Sequence, residues 1–98
     1  MAPEDLLGRV VVPKSGRDAG AAQAVVGLAS DGERLLVADG RRRPVAKPKA
    51  KNMKHLRFTD IWLEDARRAL LAGRAPTDRQ LRTMLGSAPL PPRGAPLP

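Results

Sequence analysis

The chain has no cysteine and no tyrosine, and only one histidine, one phenylalanine and one tryptophan among its 98 residues. Without cysteine there is neither a disulfide framework nor a thiolate metal site. A lone histidine and no tyrosine leave few side chains able to move protons or attack a substrate near neutral pH. So few aromatic rings argue against a surface that reads unpaired bases by stacking them along a row of side chains. Long apolar runs are missing too. None approaches the roughly 20 residues of a membrane-spanning helix, and no signal-peptide pattern opens the chain. These absences predict a soluble, cytoplasmic protein with no membrane partner, no metal and no cofactor.

What the sequence does hold is proline, glycine and positive charge. Five prolines crowd into residues 87–98. No helix or strand period survives there and too little apolar surface exists to offset chain entropy, so a disordered proline-rich tail is expected. The remainder suffices for one modest core. Net charge is +8, and the excess is concentrated. Residues 1–40 hold four basic and six acidic side chains, residues 41–57 eight basic and none acidic, residues 58–98 six basic and four acidic. An uncompensated block repels itself unless an anion lies beside it, so a polyanionic partner is expected.

Along residues 8–56 short apolar runs alternate with turn signals. The run 8–12, with three successive β-branched valines, stops at Pro13, which cannot donate to a ladder. A second run, 23–29, ends at Asp31-Gly32, and a third, 34–38, at Asp39-Gly40; both dipeptides favour tight hairpins. Residues 42–46 fit a short edge strand, where Pro44 is tolerated, and 52–56 alternate apolar and basic residues as a last strand would. Five short strands at such spacing predict a small barrel. The character changes at Phe58. Thr59 is placed to cap a helix over 60–72 with Gly73 as its stop, and Trp62, Leu63, Ala66, Ala69 and Leu70 share its apolar face. Thr77 and Gln80 form a capping box for a second helix ending before Gly86, with Leu81, Met84 and Leu85 as its stripe. The chain thus divides into a β unit over 4–57, a helical hairpin over 58–86 and the tail over 87–98.

The unit spanning residues 8–27 consists of a β-branched strand, the loop Ser15-Gly16-Arg17-Asp18-Ala19-Gly20 and a second apolar strand. It resembles a KOW motif, with Gly20 in the place of that family's signature glycine. In residues 35–56 the turn Val37-Ala38-Asp39-Gly40 leads into a basic strand and a lysine-rich approach to the final strand. This part is similar to the KOW-type ribosomal large-subunit proteins of archaea and eukaryotes and to their short bacterial relatives. The resemblance covers about residues 7–57. It implies a mainly β protein with a five-stranded SH3-like (KOW) barrel that binds RNA, commonly ribosomal RNA, with ribosomal proteins as neighbours. Positions flanking Gly20 are often basic in such loops but are Ala19 and Ala21 here, which shifts weight from the loop to residues 41–57.

The candidate RNA contacts follow from chemistry. Cations displace counterions condensed on the RNA backbone without reading its sequence. Arg41, Arg42 and Arg43, directly after a tight turn, would present planar guanidiniums for bidentate phosphate contact. Lys47, Lys49, Lys51 and Lys54 follow at spacings of two, two and three, and in extended chain a spacing of two puts side chains on one face. His55 adjoins them, and Lys14, Ser15 and Arg17 belong to the loop. A charge run is often no more than a solvated face, but eight cations without one anion argue for a binding role.

Catalysis is not supported. His55 has no metal-type partner. Asp60 suits a helix start, and Glu64 can pair with Arg67 or Arg68. There is no nucleophile–base pair, phosphate loop or metal spacing. The expectation is a monomeric RNA-binding protein and not an enzyme. The competing reading is a protein-interaction adaptor that uses the helical hairpin, and the exposure of Trp62, Leu63, Leu70, Leu81 and Leu85 separates the two.

Overall fold

The computed structural model describes residues 3–89. A 3-10 helix over Pro3–Leu6 leads into β1 (Arg9–Pro13), β2 (Gln23–Leu28), β3 (Arg34–Ala38) and β4 (Lys49–Asn52). A second 3-10 helix, Met53–His55, precedes β5 (Leu56–Trp62), and α1 (Glu64–Leu71) and α2 (Asp78–Ser87) follow. The strands form one antiparallel sheet in the order β4-β3-β2-β1-β5. The protein is therefore mainly β with two helices, as expected. β4 and β5 are the edges of the sheet, and no ladder joins them among the described residues, so strand pairing does not close it into a barrel. No helix is long and apolar enough to cross a membrane among those residues.

Beyond their first residues, Arg9, Gln23 and Arg34, the central strands are apolar because both of their faces are covered. Successive side chains in a strand point to opposite faces. Val10 and Ala24 accordingly pack, with Ala38, against Leu63, Ala66 and Leu81 of the helical region. Val11 and Val25 turn the other way and meet Leu35, Val37 and Leu56. Leu81 is completely buried, a contribution of about 2 kcal/mol from transfer out of water. The capping box of α2 forms as its sequence requires. Gln80 N–H donates to the Thr77 hydroxyl at 3.1 Å, and Thr77 N–H donates to the Gln80 side chain at 2.9 Å.

Several boundaries differ from expectation, each for a visible reason. Residues 42–46 are not an edge strand. The Asp39 carboxylate accepts from Arg41 N–H at 2.8 Å and Arg43 N–H at 3.0 Å, so the backbone donors a ladder would need are used locally. The edge strand starts instead at Lys49. Nor do residues 52–56 form the last strand. Asn52 ends β4, and its side chain accepts from Lys54 N–H at 3.0 Å, capping the 3-10 helix. The last strand is β5, which carries the sheet across position 57 and through Thr59 and Asp60. Its register against β1 pairs Trp62 with Arg9, Phe58 with Val11 and Leu56 with Pro13, and so covers an edge that would otherwise be open. Thr59 caps nothing; buried in the sheet, its hydroxyl donates to the Val10 carbonyl at 2.7 Å. α1 begins only at Glu64, with Leu63 as an N-cap that makes no side-chain hydrogen bond. Of the expected tail, Ser87 closes α2, and residues 90–98 lie outside the described residues.

Asp31-Gly32 lies in the β2–β3 hairpin as expected, but the connection spans residues 29–33 and is not a tight two-residue turn; it is held by bonds to Asp31. The Asp31 carboxylate accepts from the backbone of Glu33 and Arg34 and, at 2.6 Å, from the Arg34 guanidinium. These bonds pull its pKa down to about 2.

Candidate nucleic-acid interface

The β1–β2 loop and the basic segment, remote in sequence, are joined by the fold. Gly20 takes the left-handed conformation (φ 81°) and donates its N–H to the Pro13 carbonyl at 3.0 Å, closing the loop on itself. Within it, Ala19 N–H donates to Gly16 and Ala21 N–H to Asp18. This coil tucks the Asp18 carboxylate inward, where it is 3% exposed. There it accepts from Arg43 Nε at 2.8 Å and from Gln23 Nε2 at 3.2 Å, with Arg42 Nη1 3.9 Å from its other oxygen. Burial pushes the Asp18 carboxyl up, but the hydrogen bonds from Arg43 and Gln23 and the charges of Arg43 and Arg42 outweigh it and hold it below the usual carboxylate range. Arg42 also donates to the Arg17 carbonyl at 3.3 Å.

The start of the loop makes a second junction. Lys14 N–H donates to the His55 carbonyl at 2.8 Å and its Nζ to the Lys54 carbonyl at 3.1 Å. Lys51 Nζ donates to the Ser15 carbonyl at 3.4 Å. Lys14, Ser15, Lys51, Lys54 and His55 are thus brought together at one end, and Arg17, Arg42 and Arg43 at the other, with the loop running between them. Lys49 and Lys51 share one face of β4 as their spacing demands, opposite Val37 and Leu35 in register. Arg41 and Lys47 are exposed on the loop before that strand, and Arg57 on β5.

Two expectations change. Arg43 is tied to Asp18 and only 31% exposed, so it organises the site rather than presenting a free charge. The β1–β2 loop, given little weight for its Ala19 and Ala21, is the clasp that orders the basic segment. Reasoning from sequence passes over Asp18, although it is the one acid among residues 13–30. It passes over Asp78 and Arg82 as well. The Asp78 side chain accepts from Val45 N–H at 2.7 Å and Arg82 Nη1 donates to the Gly40 carbonyl at 2.7 Å, so α2 braces the 39–45 loop from behind. No local signal announces those bonds, because they span 33 and 42 residues.

The two aromatic rings also have a task beyond packing. Arg9 lies over Phe58 at 5.2 Å and Trp62 at 4.6 Å, donates to the Thr59 carbonyl at 2.7 Å and sits 3.7 Å from Asp60. Asp60 is therefore a strand residue facing Arg9, not a helix-start acid. Asp65, rather than Glu64, approaches Arg68, at 3.8 Å. Among the described residues no three His, Cys, Asp or Glu side chains gather closely enough to hold a metal ion.

The Asp18 clasp has a measurable consequence. Asp18→Asn keeps the shape but removes the charge facing Arg43 and Arg42, and is expected to cost about 2 kcal/mol, or roughly 8–16 °C in unfolding midpoint at pH 7. Because the folded pKa is depressed, the charge contributes stability above the ordinary carboxylate value near 3.9 and loses it as pH falls through the folded value. The gap between wild type and variant should therefore narrow in thermal melts below about pH 3.9. Equal midpoints at pH 7 would show the clasp to be energetically idle.

No protein-family model matches the sequence, and no curated protein is significantly similar to it. The functional reading rests on the residues and their arrangement.

Proposed function

We propose that the protein is a cytoplasmic RNA-binding module of the KOW type, its sheet curled as an SH3-like barrel. It would hold structured RNA, with ribosomal RNA as the leading class, through phosphate contacts. The observation that carries this reading is the clasped basic face. Loop 14–18 and segment 41–57 are tied together by the side chains of Lys14, Arg42, Arg43 and Lys51, and the one acid drawn into that junction is buried. Lys14, Arg17, Arg41, Arg42, Lys47, Lys49 and Lys54 remain exposed around it. Fixing cations on a folded frame lowers the ordering cost of meeting phosphates, and release of condensed counterions supplies the drive. The helices favour a module over an adaptor: Leu63 and Leu81 are buried against the sheet, and Trp62, Leu70 and Leu85 are half-buried. Their apolar stripe is already used inside the fold.

About six phosphate contacts would make log K fall against log salt with a slope of roughly −4 to −5. Sedimentation with ribosomes, followed by crosslinking and sequencing of the bound RNA, tests the reading directly. Recovery of ribosomal RNA that declines steeply with salt is expected. Failure to recover any RNA at low salt would sink it.

A further inference from the structure

Away from the clasp, one end of the sheet holds an apolar cavity of about 550 Å³. Its walls include Leu6, Leu28, Met53 and Phe58, and the guanidinium residues Arg9 and Arg34 also line it. We propose that this cavity takes one unpaired base of the RNA whose phosphates lie along the basic face. The inference rests on the RNA-binding reading and adds to it a second kind of contact.

Met53 lines the cavity and is followed directly by Lys54, while Lys51 and Asn52 stand opposite Leu35 and Arg34 in the β3–β4 ladder. Directly opposed residues of a ladder share a face, so Lys51 stands on the same face of the sheet as Leu35, which lines the cavity. A nucleotide whose phosphate meets Lys51 or Lys54 has its base within reach of the opening.

The volume falls within the range of about 300–1,000 Å³ usual for small-molecule sites, ample for a single base. Unpaired bases in folded RNA are typically splayed out and stacked on aromatic rings or guanidinium planes. Phe58 supplies the ring; the Arg9 guanidinium covers one of its faces at 5.2 Å, so a base would stack against the other. At the opening, Arg34 commits its Nε to Asp31 at 2.6 Å, and its two Nη nitrogens have no partner among the described residues. They are donors suited to the acceptor edge of a base. Leu28 is 39% exposed beside the cavity, an apolar surface that a stacked base would cover. An apolar peptide could also fill such a space, but the neighbouring lysines and the arginines of the lining favour a ligand with an anionic backbone.

The test uses the full chain and two RNA hairpins of equal length, one fully paired and one carrying a single bulged 2-aminopurine. The wild type should bind the bulged hairpin about tenfold more tightly and change the fluorescence of the bulged base. Leu28→Gln and Phe58→Leu should erase that preference while leaving affinity for the paired hairpin and its salt slope within about twofold. Leu28 is a surface position, so its variant keeps the test valid even where Phe58→Leu weakens folding. Equal affinity for the two hairpins with no fluorescence change overturns the base pocket and leaves the phosphate reading standing. Loss of both hairpins equally in the pocket variants overturns it as well. Binding of neither hairpin by the wild type at low salt overturns the RNA reading and the pocket together. A shift of the Met53 methyl resonance with an apolar peptide, but not with the bulged hairpin, assigns the cavity to a protein and refutes the proposal.

Discussion

Gly40→Ala is expected to lower the unfolding midpoint by more than about 12 °C and to release α2 from the sheet, from a cost of roughly 3 kcal/mol or more. Two effects add at this position. Gly40 adopts φ 80°, which a side chain disfavours by about 1–2 kcal/mol. A Cβ there would also run into the carbonyl oxygen of Asp78 and stand 3.0 Å from Arg82 Cγ, so the first turn of α2 would have to move. That movement breaks the bonds from Arg82 to the Gly40 carbonyl and from Val45 N–H to Asp78, both 2.7 Å. Gly32→Ala provides the comparison. Gly32 has a similar φ of 73°, but no heavy atom lies within 4 Å of its added Cβ, so it reports the backbone cost alone. A difference of several degrees between the two variants measures the packing of α2 on the loop. Equal midpoints would mean that α2 is not braced there.

The same loop shows what can be read from sequence and what cannot. The Asp39-Gly40 turn, the Asp31-Gly32 turn and the Thr77 capping box are all decided within four residues, and all three form. Neither dipeptide closes the tight hairpin expected of it, however: residues 29–33 separate β2 from β3, and residues 39–48 separate β3 from β4. The error over residues 42–46 has the same origin as these successes. Asp39 reads as a turn residue, but its carboxylate reaches two further backbone donors and turns the chain on through Arg43. β5 escapes the sequence for a different reason. Trp62, Leu63 and Ala66 fit a helix period, and the pairing of residues 56–62 with β1 depends on an edge some 49 residues away, as the Thr59 bond to Val10 illustrates. At the site, the charge block is legible because eight like charges in 17 residues need no fold to be seen. Its division into free and tied cations is not, since that depends on where Asp18 lies in three dimensions.

That division makes the charge variants unequal. The triple substitution Arg41→Glu, Lys49→Glu, Lys54→Glu is expected to lower affinity for structured RNA by at least about 100-fold near 0.1 M salt. At roughly 1 kcal/mol for each phosphate left without its cation, the three positions alone supply that factor. The salt slope should shrink by about 2 to 3, the share of the three neutralised phosphates. All three residues are exposed and their side-chain nitrogens have no partner among the described residues, so the unfolding midpoint should barely move. Arg43→Ala should do the reverse. It removes the 2.8 Å bond to Asp18 and leaves a buried carboxylate short of its main partner, for a loss of about 2–3 kcal/mol of stability. Affinity per folded molecule should change much less than in the triple variant. Titrations of both variants against several unrelated structured RNAs, alongside thermal melts, separate the outcomes. Equal weakening across RNAs is the signature of phosphate contact, whereas a loss confined to one sequence would mean that Arg41, Lys49 or Lys54 reads bases. An Arg43→Ala protein that stays fully stable yet fails to bind would place Arg43 on the RNA and remove Asp18 from its role as organiser of the face.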